Sequence, residues 1–286
     1  MAQQRTDLAA EAHELRGGAL PGVRQESLTA EGFPVTRVTV ETPEGAAALG
    51  KPAGVYLTLT LDGFLRREEG SFPRAVRALA GLLHPLLPPE GDALVAGLGN
   101  RAVTPDTIGP LAADHTLVTR HLVRSMPDRF GGLRSVAALA PGVLAATGVE
   151  SGALIRAAAE TLRPACVIAV DALAARSAER LCRTVQVADT GIVPGSGVGN
   201  HRMALDRETL GVPVIAVGAP TVVEASTLIM DLLGKEDDAG LPGAGLFVTP
   251  RDVDQQAADL ARAIGYGVSL ALNPQLSVEE LELLLA

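Results

Sequence analysis

Cys166-Val167-Ile168-Ala169-Val170-Asp171 is the stretch that decides the fold. Its first five residues are apolar without a break, and a carboxylate follows them. An unbroken apolar run, rather than an alternating one, is the pattern of a strand covered on both faces, and such strands belong to parallel sheets wrapped by helices. Pro213-Val214-Ile215-Ala216-Val217 has the same character, and Leu94–Ala96, Val136–Leu139, Thr184–Val187 and Leu246–Val248 read as further short strands. Helical spacing separates them over Asp106–Arg124, Ser151–Leu162 with Ser151 as N-cap, Ala172–Leu181, Thr221–Leu233, 251–271 and the tail Leu276–Ala286. Strands alternating with helices predict an α/β fold, with a mostly parallel twisted sheet and helices on both faces.

Working back toward the N-terminus, the pattern changes. Pro34–Glu41 and Gly54–Thr60 alternate apolar and polar residues. They are expected to pair antiparallel, after a turn at Glu44-Gly45 and Lys51-Pro52, as a small antiparallel N-terminal element. Phe72–Leu87 has helical spacing and stops at Pro88-Pro89. Residues 1–33 are polar, with a helical stretch around 7–15. No internal repeat or low-complexity segment interrupts the chain, and Gly234–Gly245 is a Gly-rich polar loop.

Composition sets the limits. The 286 residues fit one large domain or two ordinary ones, and 47% of them are hydrophobic, so a disordered chain is excluded. Aromatic residues make up only 2% and Trp is absent, so Ala, Val, Leu and Ile must build the core. A net charge of −9 makes a poor general binder of phosphate backbones, and no direct nucleic-acid binding is expected. The two cysteines, Cys166 and Cys182, form neither a disulfide framework nor a metal-ligand spacing, which suits a reduced, intracellular setting. The first residues lack the apolar core of a signal peptide, and no apolar run is long enough to span a membrane.

Two carboxylates stand where apolar strands run out, Asp106 and Asp171. In an open α/β sheet the loops beyond the carboxyl ends of the strands form the ligand crevice. A pair of acids there can activate a water molecule or hold a metal. Each also reads as a helix cap, and Arg176, one turn beyond Asp171, as a salt-bridge partner. Gly97-Leu98-Gly99-Asn100 invites a dinucleotide reading, but Ala102 replaces the third glycine and no acidic residue follows a second strand at the spacing that ribose binding needs. The run DTGIVPGSGVGN (189–200) has four glycines that let backbone N–H groups face a ligand. Ser196 lacks the nucleophile-elbow spacing, because Pro194 precedes it by two residues. None of His13, His84, His115, His121 and His201 belongs to a metal-ligand motif.

These segments resemble the germination protease (GPR endopeptidase) family of spore-forming bacteria. The resemblance rests on Arg5-Thr6-Asp7-Leu8-Ala9, GLGNRAVTPDTIGP (97–110), VTRHL (118–122), Pro141-Gly142-Val143, IAVDALAARS (168–177), DTGIVPGSGVGN (189–200) and ETLGVPVIAVGAPTVV (208–223). It implies an endopeptidase that degrades small acid-soluble spore proteins during germination in the spore core, a cytoplasmic location. It also implies a self-processing zymogen and a homotetramer. A catalytically inactive binding paralogue on the same fold is the alternative.

The family's two candidate catalytic aspartates fall on Asp106 and Asp171. Backbone donors for the oxyanion are expected from Gly97, Gly99, Asn100, Gly195, Ser196, Gly197 and Gly199. The fold is similar to that of hydrogenase maturation proteases, where carboxylates at equivalent places bind a metal; Asp106 and Asp171 are the ligands here if a divalent metal is held. The family cuts after an acidic residue and before an apolar one. Asp7-Leu8 matches, so residues 1–7 are expected to be a propeptide and 8–286 one protease domain. Two departures are visible: the family's long insertion is reduced to Gly234–Leu246, and His201 replaces its usual basic residue.

Overall fold

A computed structural model describes residues 6–17, 19–195, 202–234 and 245–285. The strands are β1 (Val23–Ala30), β2 (Phe33–Val40), β3 (Gly54–Thr60), β4 (Ala93–Gly97), β5 (Val136–Leu139), β6 (Cys166–Ala175), β7 (Thr184–Ala188), β8 (Val214–Glu224) and β9 (Phe247–Val248). They form one sheet in the order β1-β2-β3-β7-β8-β6-β4-β5, with β9 added to β8. The apolar runs do lie side by side as the parallel half, β8-β6-β4-β5. The antiparallel part is larger than expected, because β7 joins β3 to β8 with antiparallel pairing on both sides.

Both faces are covered. On one, the Ser71–Leu83, Ile108–Asp114 and Val253–Leu272 helices bury Leu79, Ile108, Leu260 and Ile264 against Val95, Ile168, Val170, Ile215 and Val217. The alternate residues of the same strands, Leu94, Ala96, Val167, Ala169 and Val214, face the Ser151–Leu162 helix on the other side. That second face is completed by the N-terminal Ala9–Leu15 helix. It packs Ala9 and Ala12 on Val38, Val40, Tyr56 and Ala216, while Leu8 inserts among Leu173, Ala175, Leu181 and Val223.

Several sequence expectations fail here for physical reasons. The Ala-rich segment expected as a helix over Ala172–Leu181 continues β6 to Ala175 and ends in a short 3-10 turn, Ala178–Arg180. Weak helical preference yields to burial and to pairing with β8, which resumes at Val222 and Val223 after an irregularity at Leu173/Ala174. Asp171 is therefore a mid-strand residue and not a helix cap. Arg176 pairs with Asp231 at 2.8 Å instead of with Asp171.

β8 likewise runs to Glu224, as its β-branched Thr221, Val222 and Val223 favour, and its helix begins only at Ala225. The expected Asp106–Arg124 helix breaks into a 3-10 turn, Thr104–Asp106, and two helices, Ile108–Asp114 and Arg120–Ser125. The Ser269 hydroxyl takes the Leu117 N–H between those two helices. Ser151 is the first helical residue rather than the cap, and its hydroxyl donates to the Gly142 carbonyl. The supposed turn at Glu44-Gly45 is a Thr42-capped helix, Pro43–Leu49. β1 escapes the pattern because it is a polar edge strand. Cys166 and Cys182 are free and buried, the latter at positive φ between the 3-10 turn and β7.

One close approach seats the Ile108–Asp114 helix against the end of β4 and the middle of β6. A Cβ on Gly109 would lie 2.1 Å from the Leu98 carbonyl oxygen and 2.4 Å from that of Val170. We expect Gly109→Ala to destabilise the fold by about 3 kcal/mol, since both obstacles are backbone. Urea unfolding of the two chains measures the loss.

Candidate active site

Asp171 lies one residue beyond Val170, where the β4 ladder stops opposite Gly97. β6 outlasts β4, so its edge on that side is open from Asp171 onward while the other edge stays paired to β8. The N-terminal segment uses the open edge. Asp7 N–H donates to the Ala174 carbonyl at 2.9 Å, and the Ala174 N–H donates back to Asp7 Oδ2 at 2.8 Å. Four residues later, the wholly buried Glu11 carboxylate accepts the Arg176 and Ser177 N–H groups at 2.7 and 3.0 Å and pairs with Arg180 at 3.4 Å. The Thr6 hydroxyl also donates to it. These contacts satisfy groups that an unpaired strand edge would otherwise leave open.

Asp106 is brought in by its 3-10 turn. The Thr221 hydroxyl on β8 donates to the Pro105 carbonyl at 2.6 Å, and Thr249 holds the Thr221 carbonyl in turn. The Asn100 N–H donates to Asp106 Oδ2 at 2.9 Å and also to its carbonyl. Gly99, at φ 120°, must be glycine because a Cβ there would stand 2.2 Å from the Asp106 carbonyl oxygen. Gly97 similarly admits Gly109 at van der Waals limit, since its Cβ would meet the Gly109 carbonyl at 2.2 Å. Gly99 and Asn100 position Asp106, and the Asn100 N–H is committed to that carboxylate rather than open to an oxyanion. Gly195 lines the site cavity, whereas Ser196, Gly197, Gly199 and His201 lie outside the described residues.

The cavity has a volume of about 230 Å³ and is lined by Asp171, Asp7, Lys51, Gln186, Tyr56 and Thr190, among others. Asp171 is only 5% exposed, and among the described residues its hydrogen-bond donor is its neighbour's N–H, Ala172, at 2.9 Å. Burial drives its pKa well above the ordinary carboxylate range, and the charges of Asp106 and Asp7 push it the same way. Burial also raises Asp106, against the opposing pull of the Asn100 N–H and the Arg202 guanidinium. The Asp106 charge thus disfavours ionisation of Asp171, so of the two acids Asp171 is the one that holds a proton more tightly. Burial lowers the pKa of the Lys51 ammonium, while Asp7 and Glu11 raise it. Among the described residues no three His, Cys, Asp or Glu side chains converge on a point where they would hold a metal ion.

Sequence reasoning found Asp106, Asp171, Asp7 and Gly195 but missed Lys51, Gln186 and Arg202. Arg202 had a usable signal, because it directly follows the substituted His201. Lys51 and Gln186 had none; the first sits in what reads as a turn and the second at an inward position of an ordinary strand.

The raised pKa of Asp171 has a sign that can be checked. An acid whose folded pKa lies above its unfolded value contributes stability at low pH that is lost as pH rises through the folded value. Asp171→Asn removes that loss. Its melting temperature is expected to exceed the parent's at neutral pH, with the gap closing as pH falls to the ordinary carboxylate range. Thermal melts of both proteins across pH measure this.

With this geometry in hand, the comparisons with known proteins are specific. The germination protease family model matches residues 2–235. A germination protease of Clostridium perfringens is 39% identical, covering 97% of this chain and 97% of its own length. That of Caldanaerobacter subterraneus subsp. tengcongensis is 38% identical, covering 98% of each. That of Bacillus cytotoxicus is 43% identical over 80% of this chain and 65% of its own length. Among solved structures, a NiFe hydrogenase maturation protease from Thermococcus kodakarensis matches 65% of this chain and 98% of its own at 18% identity, with a TM-score of 0.37. No described helix is long and apolar enough to cross a membrane. A match over most of the chain, from both the family model and full-length relatives, means that this protein belongs to the germination protease family.

Proposed function

We propose that this member of the family is an endopeptidase of the spore core that degrades small acid-soluble spore proteins, and that it is made as a zymogen which first cuts its own Asp7-Leu8 bond. One observation carries the reading: the Asp7-Leu8 bond lies along the open edge of β6, its acidic residue lining the same cavity as Asp171. An acidic residue followed by a fully buried Leu8 is the substrate pattern that the family resemblance implies, presented in cis. Loss of residues 1–7 would free the Ala174 edge for a substrate strand to add in the same way, with main-chain bonds supplying affinity and alternate pockets supplying specificity.

In this reading Asp106 and Asp171 share one proton. The ionised carboxyl takes a proton from the attacking water, and the neutral one gives a proton to the leaving amine. Arg202 lowers the pKa of both acids and so limits how far burial keeps them neutral. Self-association into a homotetramer is part of the proposal. The exposed apolar Leu232, Leu233, Leu246 and Phe247 support it, and light scattering reads the mass.

The test uses the purified full chain, mildly acidified, with mass spectrometry of its N-terminus and a spore DNA-coat protein as substrate. A Leu8 end should form, and Asp106→Asn and Asp171→Asn should each lower both cleavages by at least about 1,000-fold, the loss seen when one member of a catalytic unit is removed. Activity that survives in either variant removes that residue from the mechanism. Substrate that is bound but never cut by the parent chain replaces the protease reading with the binding paralogue. Chelator titration should leave the rate unchanged; loss restored by added divalent metal would replace the shared proton with a metal held by Asp106 and Asp171.

A second consequence concerns pH. Because the pair must keep one proton, the cleavage rate should fall as pH rises through the raised pKa of Asp171. A pH–rate profile that stays flat into the alkaline range would contradict the shared-proton mechanism.

A further inference from the structure

The Asp7 carbonyl oxygen accepts two side-chain hydrogen bonds, from Lys51 Nζ and from Gln186 Nε2, each at 3.1 Å. These donors come from separate parts of the fold. Lys51 follows the Pro43–Leu49 helix, and Gln186 lies on β7. Gln186 is 8% exposed, and its amide oxygen is fixed by the Ala9 N–H at 2.8 Å, which turns Nε2 toward Asp7. Lys51 Nζ is steadied by a further bond to the Thr6 carbonyl at 3.1 Å. Both side chains line the cavity that Asp171 lines. Docking the segment does not need them on this atom, because the main chain is already held at Ala174 and Glu11.

We propose that Lys51 and Gln186 are catalytic residues that stabilise the oxyanion formed on the carbonyl of the bond being cut. The proposal rests on the reading of Asp7-Leu8 as the first bond cleaved. When water oxygen bonds to the Asp7 carbonyl carbon, the carbonyl π electrons move onto the oxygen that faces Lys51 and Gln186. One water proton passes to the ionised aspartate. The C–N bond then breaks, the Leu8 nitrogen takes a proton from the acid, and an Asp7 α-carboxyl and a Leu8 amine result. Neither donor exchanges a proton. A cation and an amide already in place gain strength as charge develops, so they favour the transition state over the ground state.

Two substitutions in the full chain test it, with the rate of Leu8-end formation read by mass spectrometry and folding by thermal melting. Lys51→Met removes the charged donor. Gln186→Glu keeps an acceptor for the Ala9 N–H but turns an acceptor toward Asp7, so the segment stays anchored while the oxyanion is opposed. Each should slow self-cleavage about 100-fold, the usual loss of one oxyanion donor. If Lys51→Met does not fold, Gln186→Glu decides alone. A rate within about threefold of the parent in a folded variant overturns the proposal, since a donor of this kind is worth far more. Asp171→Asn runs alongside. If it is inactive while Lys51→Met and Gln186→Glu are not, the aspartate reading stands and only this pair falls. If the parent never forms a Leu8 end, the underlying reading falls as well.

Discussion

The parallel pairing of β6 with β8 continues after β4 has stopped, and the site depends on that inequality. A strand held on one edge and open on the other presents a row of main-chain donors and acceptors. At Ala174, Arg176 and Ser177 those groups are met by Asp7 and Glu11, so the open edge becomes a peptide-binding surface. The same overrun puts Asp171 inside the sheet, walled by β8 on one side and by the turn carrying Asp106 on the other. Had β6 ended with β4, Asp171 would head a loop, exposed and ordinarily acidic.

Placing Asp171 there is costly in itself. It is nearly fully buried and close enough to Asp106 and Asp7 to be influenced by their charges. Arg202 offsets part of this cost, since its charge lowers the pKa of both acids of the pair. Strained electrostatics of this sort are common where chemistry is done, because a group tuned away from its solution pKa is what acid–base work requires. The tight glycine contacts at Gly97, Gly99 and Gly109 serve the same end, since close backbone approach leaves Asp106 little freedom to move away.

Much of the fold was legible from the chain. The bounds of β3, β5 and the Ser151–Leu162 helix agree with the pattern reading. Each of these is short and has a clear period. The misread parts have other causes. Ala172–Leu181 carries Ala and Leu residues that suit a helix, and the partner strand makes its first part extended, whereas Thr221, Val222 and Val223 after Pro220 are β-branched residues that favour the strand they join. β1 carries almost no apolar alternation because an edge strand buries little. The helix expected through His115 is interrupted by a hydrogen bond from a residue more than a hundred positions away, which no local pattern signals.

The sequence by itself determined that buried parallel strands exist, that an acid directly follows the apolar run Cys166–Val170, and that an acidic–apolar dipeptide lies near the N-terminus. Those features follow from local composition and spacing. Only the tertiary structure decided that the Asp7-Leu8 bond meets the open edge of β6 and that Lys51 and Gln186 close on its carbonyl. It also decided that Gly99 and the Asn100 N–H hold Asp106 in place. Each of these depends on which strand stops first and which edge is left unpaired. Register between distant segments sets that, and it leaves no periodic trace in the chain.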